Sequence, residues 1–145
     1  MRGPHLLVIG GASLDILHFS GQTRASAGGA GLYTALAAAR AGALVTMFAP
    51  RPEPMPEELA PAASRLEWVG PIVRPEEMPR FEIANHGGGR TEMLSLFWGA
   101  EAHLRPKDAP APQDPAAWVY CVPFAEPALQ LAFARHFKAR GHRVA

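Results

Sequence analysis

The chain has 145 residues, of which 48% are hydrophobic and 19% are charged. This balance supplies enough apolar material for the core of one domain and excludes a chain kept disordered by its charge. Fourteen Lys and Arg against thirteen Asp and Glu leave a formal charge of +1, which argues against nucleic acid as a partner. No apolar run approaches the length of a transmembrane span, so a membrane is not expected as a partner either.

The only cysteine, Cys121, excludes an internal disulfide and lies in an apolar run, where we expect it to pack as a small hydrophobe. A lone cysteine suits a reducing compartment, and the apolar N-terminal run is too short for a secretory signal. The sequence therefore predicts a cytoplasmic protein. The six histidines show no metal-ligand spacing with one another or with Cys121, so no metal site is expected.

The first fifty residues follow the pattern of a parallel crossover unit. The apolar run 5–10 ends in two glycines and predicts a strand buried on both faces of a sheet. Residues 15–27 predict a short strand and then a turn or short hairpin. An Ala- and Leu-rich segment predicts a helix over 32–41, and 44–49 predicts the next strand.

From residue 50 onward the sequence predicts short elements separated by proline and glycine turns. Four prolines make 50–56 a connector, because proline removes a backbone donor. Three short elements are predicted next: a helix over 57–64 and strands at 66–69 and 72–73. The extended runs 80–85 and 90–97 flank three consecutive glycines, which predicts a β-hairpin across 80–97.

The last part of the chain predicts a loop, a strand and a helix. Four more prolines make 99–115 a surface loop, and 117–122 is an apolar strand. Pro127 opens a helix whose C-terminal signals precede Gly141, and 143–145 resembles the start of another strand. The sequence therefore predicts an α/β fold whose elements stop in mid-architecture.

Asp15 is the carboxylate best placed to bind a ligand. It lies four residues beyond Gly11, just after the first predicted strand, where open α/β sheets bind ligands. A carboxylate there accepts hydrogen bonds from two sugar hydroxyls. The alternative is a turn aspartate that bonds its own backbone.

The glycine loop that precedes the predicted helix is the second candidate feature. Gly28, Gly29 and Gly31 allow an oxygen-rich ligand to approach the backbone N–H groups at the helix start. In the alternative interpretation these glycines only turn the chain and pack closely. We expect a side chain at Gly29 to weaken ligand binding while the fold persists. The spacing fits neither a dinucleotide fingerprint nor a P-loop.

The segments 8–16 and 27–43 together resemble, in order and spacing, the N-terminal, substrate-side part of the PfkB or ribokinase-like carbohydrate kinases. The resemblance implies a three-layer α/β fold, with a mainly parallel sheet flanked by helices and a small β lid, truncated to its N-terminal half. Residues 1–145 would then form the N-terminal part of a single domain, with a reduced lid within 16–27 and the hairpin at 80–97.

The resemblance also implies an activity: transfer of the γ-phosphoryl group of ATP to a hydroxyl of a sugar or sugar-like alcohol. It implies that Asp15 binds substrate hydroxyls, that Gly28 and Gly29 line the sugar site, and that Ser13 and Tyr33 contribute to it. ATP and Mg²⁺ are the implied cofactors. Their sites and the catalytic base lie in a C-terminal half that residues 1–145 do not contain, so this chain alone is expected to be inactive.

The sequence departs from the family pattern at two positions. Tyr33 stands where the family often has Asn, and Pro123 stands near a position where ribokinases proper have Glu. The expected substrate is therefore a sugar or nucleoside that the sequence does not name, and a homodimer is left open. The alternative function is a non-catalytic module for small-molecule binding or dimerisation derived from the same fold.

Overall fold

The protein is described here by a computed structural model that covers residues 3–124 and 126–145. The strands, in chain order, are β1 (His5–Ile9), β2 (Ser13–Phe19), β3 (Gln22–Gly28), β4 (Leu44–Phe48), β5 (Arg51–Pro52), β6 (Glu67–Val69), β7 (Ile72–Val73), β8 (Arg80–Gly87), β9 (Arg90–Phe97), β10 (Trp118–Cys121) and β11 (Arg143–Val144). The helices are α1 (Ala30–Arg40), α2 (Ala60–Ala63) and α3 (Pro127–Lys138), and 3₁₀ segments span Pro75–Glu77, Gly99–His103 and Pro106–Asp108.

A five-stranded parallel sheet forms the middle layer, with the strand order β11-β10-β1-β4-β6. Its central strand β1 is buried on both faces, as its continuous apolar run predicts. Val8 packs into a core beneath α1, whereas Leu7 and Ile9 pack into a second core beneath α3. Because successive side chains of a strand point to opposite faces, β1 contributes to both cores. The predicted three-layer α/β arrangement is confirmed.

The core beneath α3 is built around aromatic rings. Phe133 of α3 is fully buried and contacts Phe48 at the end of β4 and Phe124 after β10, with ring centroids 6.1 and 5.4 Å apart. Cys121 is buried in the same core, as expected, and burial raises the pKa of its thiol to about 11. An unreactive, apolar role for this cysteine follows.

A second sheet of four strands, β3-β2-β8-β9, forms the lid. Two antiparallel hairpins, β2–β3 and β8–β9, are joined because β2 pairs in parallel with β8 from Ile16–Glu82 to Phe19–Asn85. The lid therefore extends beyond the reduced segment 16–27 that the sequence predicted. Local patterns show each hairpin but not the pairing of two strands more than sixty residues apart, which depends on the tertiary fold.

Several predicted boundaries need correction. The first helix begins at Ala30 rather than at 32, and the helix predicted over 57–64 spans only Ala60–Ala63. The proline-rich connector contains a two-residue edge strand, β5, which pairs with β7. The predicted surface loop 99–115 contains two 3₁₀ segments, and Leu104 within it is buried.

Candidate functional site

A cleft of about 130 Å³ lies where the carboxyl end of β1 meets the N-terminus of α1. Two of its walls are the turn after β1 and the first residues of α1, and the residues after β10 form a third. The fourth wall comes from the lid and the segment that follows it: Pro79, Phe81, Trp98 and Glu101. This is the edge of a parallel sheet at which α/β proteins bind ligands.

A larger cavity, of about 750 Å³, lies beside the ends of β4 and β9. It is lined by apolar residues such as Phe48 and Phe97 and by residues 99, 100 and 102–105. None of the residues predicted from the sequence to bind a ligand lines it. The smaller cleft has Ser13 and Gly29 in its walls, and we therefore take the smaller cleft as the candidate site.

Asp15 lies on β2 beside the cleft. Its Oδ1 accepts a hydrogen bond from the backbone N–H of Phe81 at 3.1 Å, so it bonds a neighbouring strand rather than its own turn. Partial burial raises the pKa of the Asp15 carboxyl, while the nearby Ser13 hydroxyl and the Phe81 N–H act in the opposite direction. Asp15 does not itself line the cleft, but Ser13 and Phe81, on either side of it, do.

Ser13 carries an unpaired polar group inside the cleft wall. The residue is 1% exposed, and its Oγ has no hydrogen-bond partner among the described residues. The hydroxyl lies near enough to the Asp15 carboxyl to lower its pKa, but not in full hydrogen-bond geometry. Because an unpaired buried hydroxyl costs about 1–3 kcal/mol, the Ser13 hydroxyl is a group that a ligand would satisfy.

The glycines before α1 pack against backbone and against Asp15. Gly29 has a φ of +106°, and a Cβ at this position would overlap the Gly11 carbonyl oxygen. A Cβ on Gly28 would overlap the Asp15 carboxylate. The N–H of Leu32 donates to the same Gly11 oxygen at 3.1 Å. The close-packing interpretation thus applies to Gly29, and the overlap leads us to expect that a side chain there disturbs the fold as well as any ligand.

Tyr33 lies away from the cleft. Its side chain is 60% exposed, and its hydroxyl donates to the backbone carbonyl of Ala27 at 3.1 Å. This bond ties the first turn of α1 to the end of the lid strand β3. The structure therefore brings Ser13, Gly28, Gly29 and Asp15 together and leaves the Tyr33 side chain outside.

Glu101 is a residue of the cleft that the sequence did not indicate. It lies in the 3₁₀ segment after the lid, is only 5% exposed and lines the cleft. Burial raises the pKa of its carboxyl to about 7, and a hydrogen bond from the backbone of Gly11 acts in the opposite direction. A glutamate in a proline-rich stretch reads as a solvated loop charge, and only the tertiary fold shows that it is buried.

Phe81 and Trp98 form an aromatic pair on the lid side of the cleft, with ring centroids 5.3 Å apart and planes at 87°. In residues 3–124 and 126–145, no three His, Cys, Asp or Glu side chains lie close enough together to hold a metal ion. None of the helices in the described ranges is long and apolar enough to cross a membrane. The cleft thus combines polar groups with an aromatic wall, which suits a ligand with hydroxyls and an apolar ring face.

The parallel sheet with helices on both faces, the β lid and the cleft between them define an α/β chain with the ribokinase-like fold. No family model matches the sequence, and no curated protein matches it either. The similarity to known proteins is therefore seen in the three-dimensional structure.

Solved structures of sugar and nucleoside kinases match nearly the whole chain. Ribokinase from Giardia lamblia is 16% identical with a TM-score of 0.70, over 99% of this chain and 50% of that one. Adenosine kinase from Sinorhizobium meliloti is 18% identical with a TM-score of 0.68, over 99% and 56%. Ribokinase from Cryptococcus neoformans, solved with ADP, is 19% identical with a TM-score of 0.63, over 83% and 42%. The chain spans about half the length of these structures.

Gly29→Ala is expected to destabilise the protein far more than the same change at Gly21. Gly21 also has a positive φ, of +71°, but nothing lies within 4 Å of a Cβ there. Gly21→Ala should therefore cost only the conformational strain of about 1–2 kcal/mol. Gly29→Ala adds overlap with the Gly11 backbone, for a total of about 2–5 kcal/mol. Urea denaturation measures both variants, and equal losses would contradict the close-packing interpretation.

Glu101→Gln is expected to change how stability depends on pH. The folded state raises the pKa of Glu101 from its ordinary 4.5 to about 7 and so binds a proton more tightly than the unfolded chain. Wild-type stability should then fall as pH rises from 4.5 to 7. The glutamine variant lacks this fall and should be more stable than wild type above pH 7, by up to about 3 kcal/mol.

Chemical denaturation between pH 4.5 and 8 measures this difference. Glu76→Gln is the matched control, because Glu76 is exposed on the 3₁₀ segment Pro75–Glu77. The control should keep the wild-type pH dependence. Parallel pH profiles for wild type and Glu101→Gln would show that the carboxyl titrates alike in the folded and unfolded states.

Proposed function

We propose that this chain is the substrate-binding half of a PfkB-type kinase that transfers the γ-phosphoryl group of ATP to a hydroxyl of a sugar, nucleoside or similar alcohol. The observation that carries the proposal is that the Asp15 carboxylate and the unpartnered Ser13 hydroxyl lie next to each other beside the cleft. The likeness in fold to ribokinases and an adenosine kinase supports it.

The two groups suit hydroxyl recognition for different reasons. Asp15 presents carboxylate oxygens, one of which is held by the Phe81 N–H, so the group has a fixed orientation and remaining acceptor sites. Ser13 both donates and accepts. An acceptor with a fixed orientation loses little entropy when a substrate binds, and it holds the substrate in one pose.

The aromatic pair gives the cleft a second means of selection. The Phe81 and Trp98 rings offer apolar surface against which the C–H face of a sugar ring or the base of a nucleoside packs. Hydroxyls on one side and an apolar face on the other describe a carbohydrate or nucleoside better than a simple alcohol. The substrate class in the proposal follows from this combination.

The described part of this chain offers no group of three His, Cys, Asp or Glu side chains for a metal, and the sequence has no P-loop. Phosphoryl transfer depends on positioning and on stabilisation of charge. We assign the positioning to this chain and propose that residues outside 1–145 supply ATP binding, Mg²⁺ binding and the catalytic base.

The alternative is a non-catalytic binding or dimerisation module, and one observation favours it. The lid strand β9 is exposed throughout and carries four large apolar side chains at its surface: Met93, Leu94, Leu96 and Phe97. A strand of this kind at a sheet edge pairs readily with another copy. An assay distinguishes the two functions. A non-catalytic module would bind sugars or self-associate, but it would show no kinase activity, either alone or as part of the complete protein.

Asp15→Asn is expected to weaken the binding of a sugar ligand by about 10- to 100-fold. The change keeps the shape of the side chain but removes the charge that strengthens its hydrogen bonds, which is worth about 1.5–3 kcal/mol. Isothermal titration calorimetry with D-fructose, D-glucose, D-ribose and adenosine measures it. Glu76→Gln, which makes the same charge change at an exposed site, should bind as wild type does. Equal affinities for wild type and Asp15→Asn would refute the role of Asp15.

The chain of residues 1–145 alone is expected to show no kinase activity. It is assayed for ADP release from ATP in the presence of the same sugars and adenosine, and its mass in solution is measured in parallel. No sugar-dependent ADP release is the expected result, because the positioning groups are present without groups that fit ATP or Mg²⁺. Sugar-dependent turnover would show that the chain carries its own catalytic base.

A further inference from the structure

Glu101 is a carboxyl group in the cleft to which the proposed function gives no role. It lies in the 3₁₀ segment Gly99–His103, which follows the last lid strand β9, whereas Asp15 lies on the first lid strand β2. It is more than nine-tenths buried. A buried carboxyl is costly unless its oxygens are paired, so its partners determine what it does.

The protein supplies Glu101 with few partners. The Gly11 backbone contributes one hydrogen bond. None of the ion pairs formed within residues 3–124 and 126–145 includes Glu101. A carboxylate has about four lone-pair sites, and the hydrogen bond from Gly11 uses only one of them. Glu101 therefore keeps acceptor capacity inside the cleft.

Ser13 supports the interpretation of this region as a ligand site. Its Oγ is buried, lines the same cleft and has no partner among the described residues. Two incompletely satisfied polar groups in one small cleft, next to the start of α1, call for a ligand that offers hydrogen bonds to both. A molecule with several hydroxyls meets that requirement, since each hydroxyl both donates and accepts.

We propose that Glu101 is a specificity-determining residue that accepts a hydrogen bond from a substrate hydroxyl other than the one held by Asp15. This inference rests on the proposed function and narrows its substrate class to polyols in which two separate hydroxyls are recognised by two carboxylates. A mono-alcohol or a sugar lacking either hydroxyl is discriminated against, because one buried carboxylate is then left without its partner.

The test pairs protein variants with ligand variants. Binding is measured by isothermal titration calorimetry at pH 8 for the wild type, Glu101→Gln, Asp15→Asn and the exposed control Glu76→Gln. The probes are D-fructose, D-glucose, D-ribose and adenosine, followed by the set of monodeoxy analogues of the probe that binds best. Such a cycle isolates the interaction between one side chain and one hydroxyl from any general effect of the substitution.

We expect Glu101→Gln to bind the best probe about 10- to 100-fold more weakly than wild type, and the control to bind it equally well. Removal of one particular hydroxyl should weaken binding to the wild type but cause little further loss in Glu101→Gln. In Asp15→Asn the hydroxyl that behaves in this way should be a different one. Two distinct hydroxyls coupled to two carboxylates would support the proposal.

The contrary outcomes are distinguishable. If a probe binds and Glu101→Gln binds it as wild type does, Glu101 has no role in recognition, and the proposed function stands. If Glu101→Gln binds more weakly but no single hydroxyl is coupled to it, its effect is structural and the inference is overturned. If no probe binds the wild type, the proposed function fails, and this inference fails with it.

A second measurement uses the wild-type protein only, so it tests the inference even if the Glu101→Gln variant does not fold. The ¹³C resonance of the Glu101 carboxyl, assigned through the backbone in the wild-type protein, is followed against pH with and without a saturating concentration of the best probe. A hydroxyl that donates to the carboxylate stabilises the ionised form, so the probe should move the titration to lower pH. An unmoved titration would overturn the inference.

Discussion

The arrangement of this site depends on one close approach between backbones. Gly29, at the start of α1, lies so near the turn after β1 that no side chain fits between them, and the Leu32 N–H donates to the Gly11 carbonyl. This contact joins the first helix to the end of the central strand. Because β3 ends at Gly28, it also fixes where the lid meets the main sheet. The cleft is the space left beside this junction.

The polar groups around the cleft are placed by different elements but share one physical problem. Ser13 and Glu101 are buried and Asp15 is partly buried, and each has fewer partners within the protein than its chemistry allows. The raised pKa values of both carboxyls express the cost of that burial. Binding sites commonly accept such a cost, because a ligand that restores the missing hydrogen bonds gains affinity that a fully satisfied pocket does not offer.

Local pattern was enough to predict the strands of the main sheet, the first and last helices to within a few residues and the hairpin across 80–97, because their periodicities and turn residues are local. The order of two short motifs, through the resemblance to a known family, also singled out Asp15 and Ser13 as candidate binding residues, and in the structure they lie side by side. Local pattern did not show that β2 and β8 pair, nor that Glu101 is buried, because both depend on segments far apart in the chain. Gly29 could either leave room for a ligand or pack closely against the chain. The choice depends on which atoms lie opposite its Cα, and the sequence alone does not show that these belong to the Gly11 backbone.

The acidic groups at the cleft discriminate between neutral and anionic ligands, which the shape of the cleft alone does not do. Asp15 and Glu101 are both carboxyls, and no Lys or Arg is among the residues that line the cleft. Burial raises the pKa of both carboxyls, to about 7 for Glu101, and where they are ionised a phosphorylated sugar brought beside them meets repulsion in a medium of low dielectric constant. The N-terminus of α1 attracts anions, but the Leu32 N–H in its first turn is already bonded to Gly11. Under the proposed function, this balance would favour a neutral polyol over its phosphate ester, so the site would hold the acceptor before phosphoryl transfer and release the product after it.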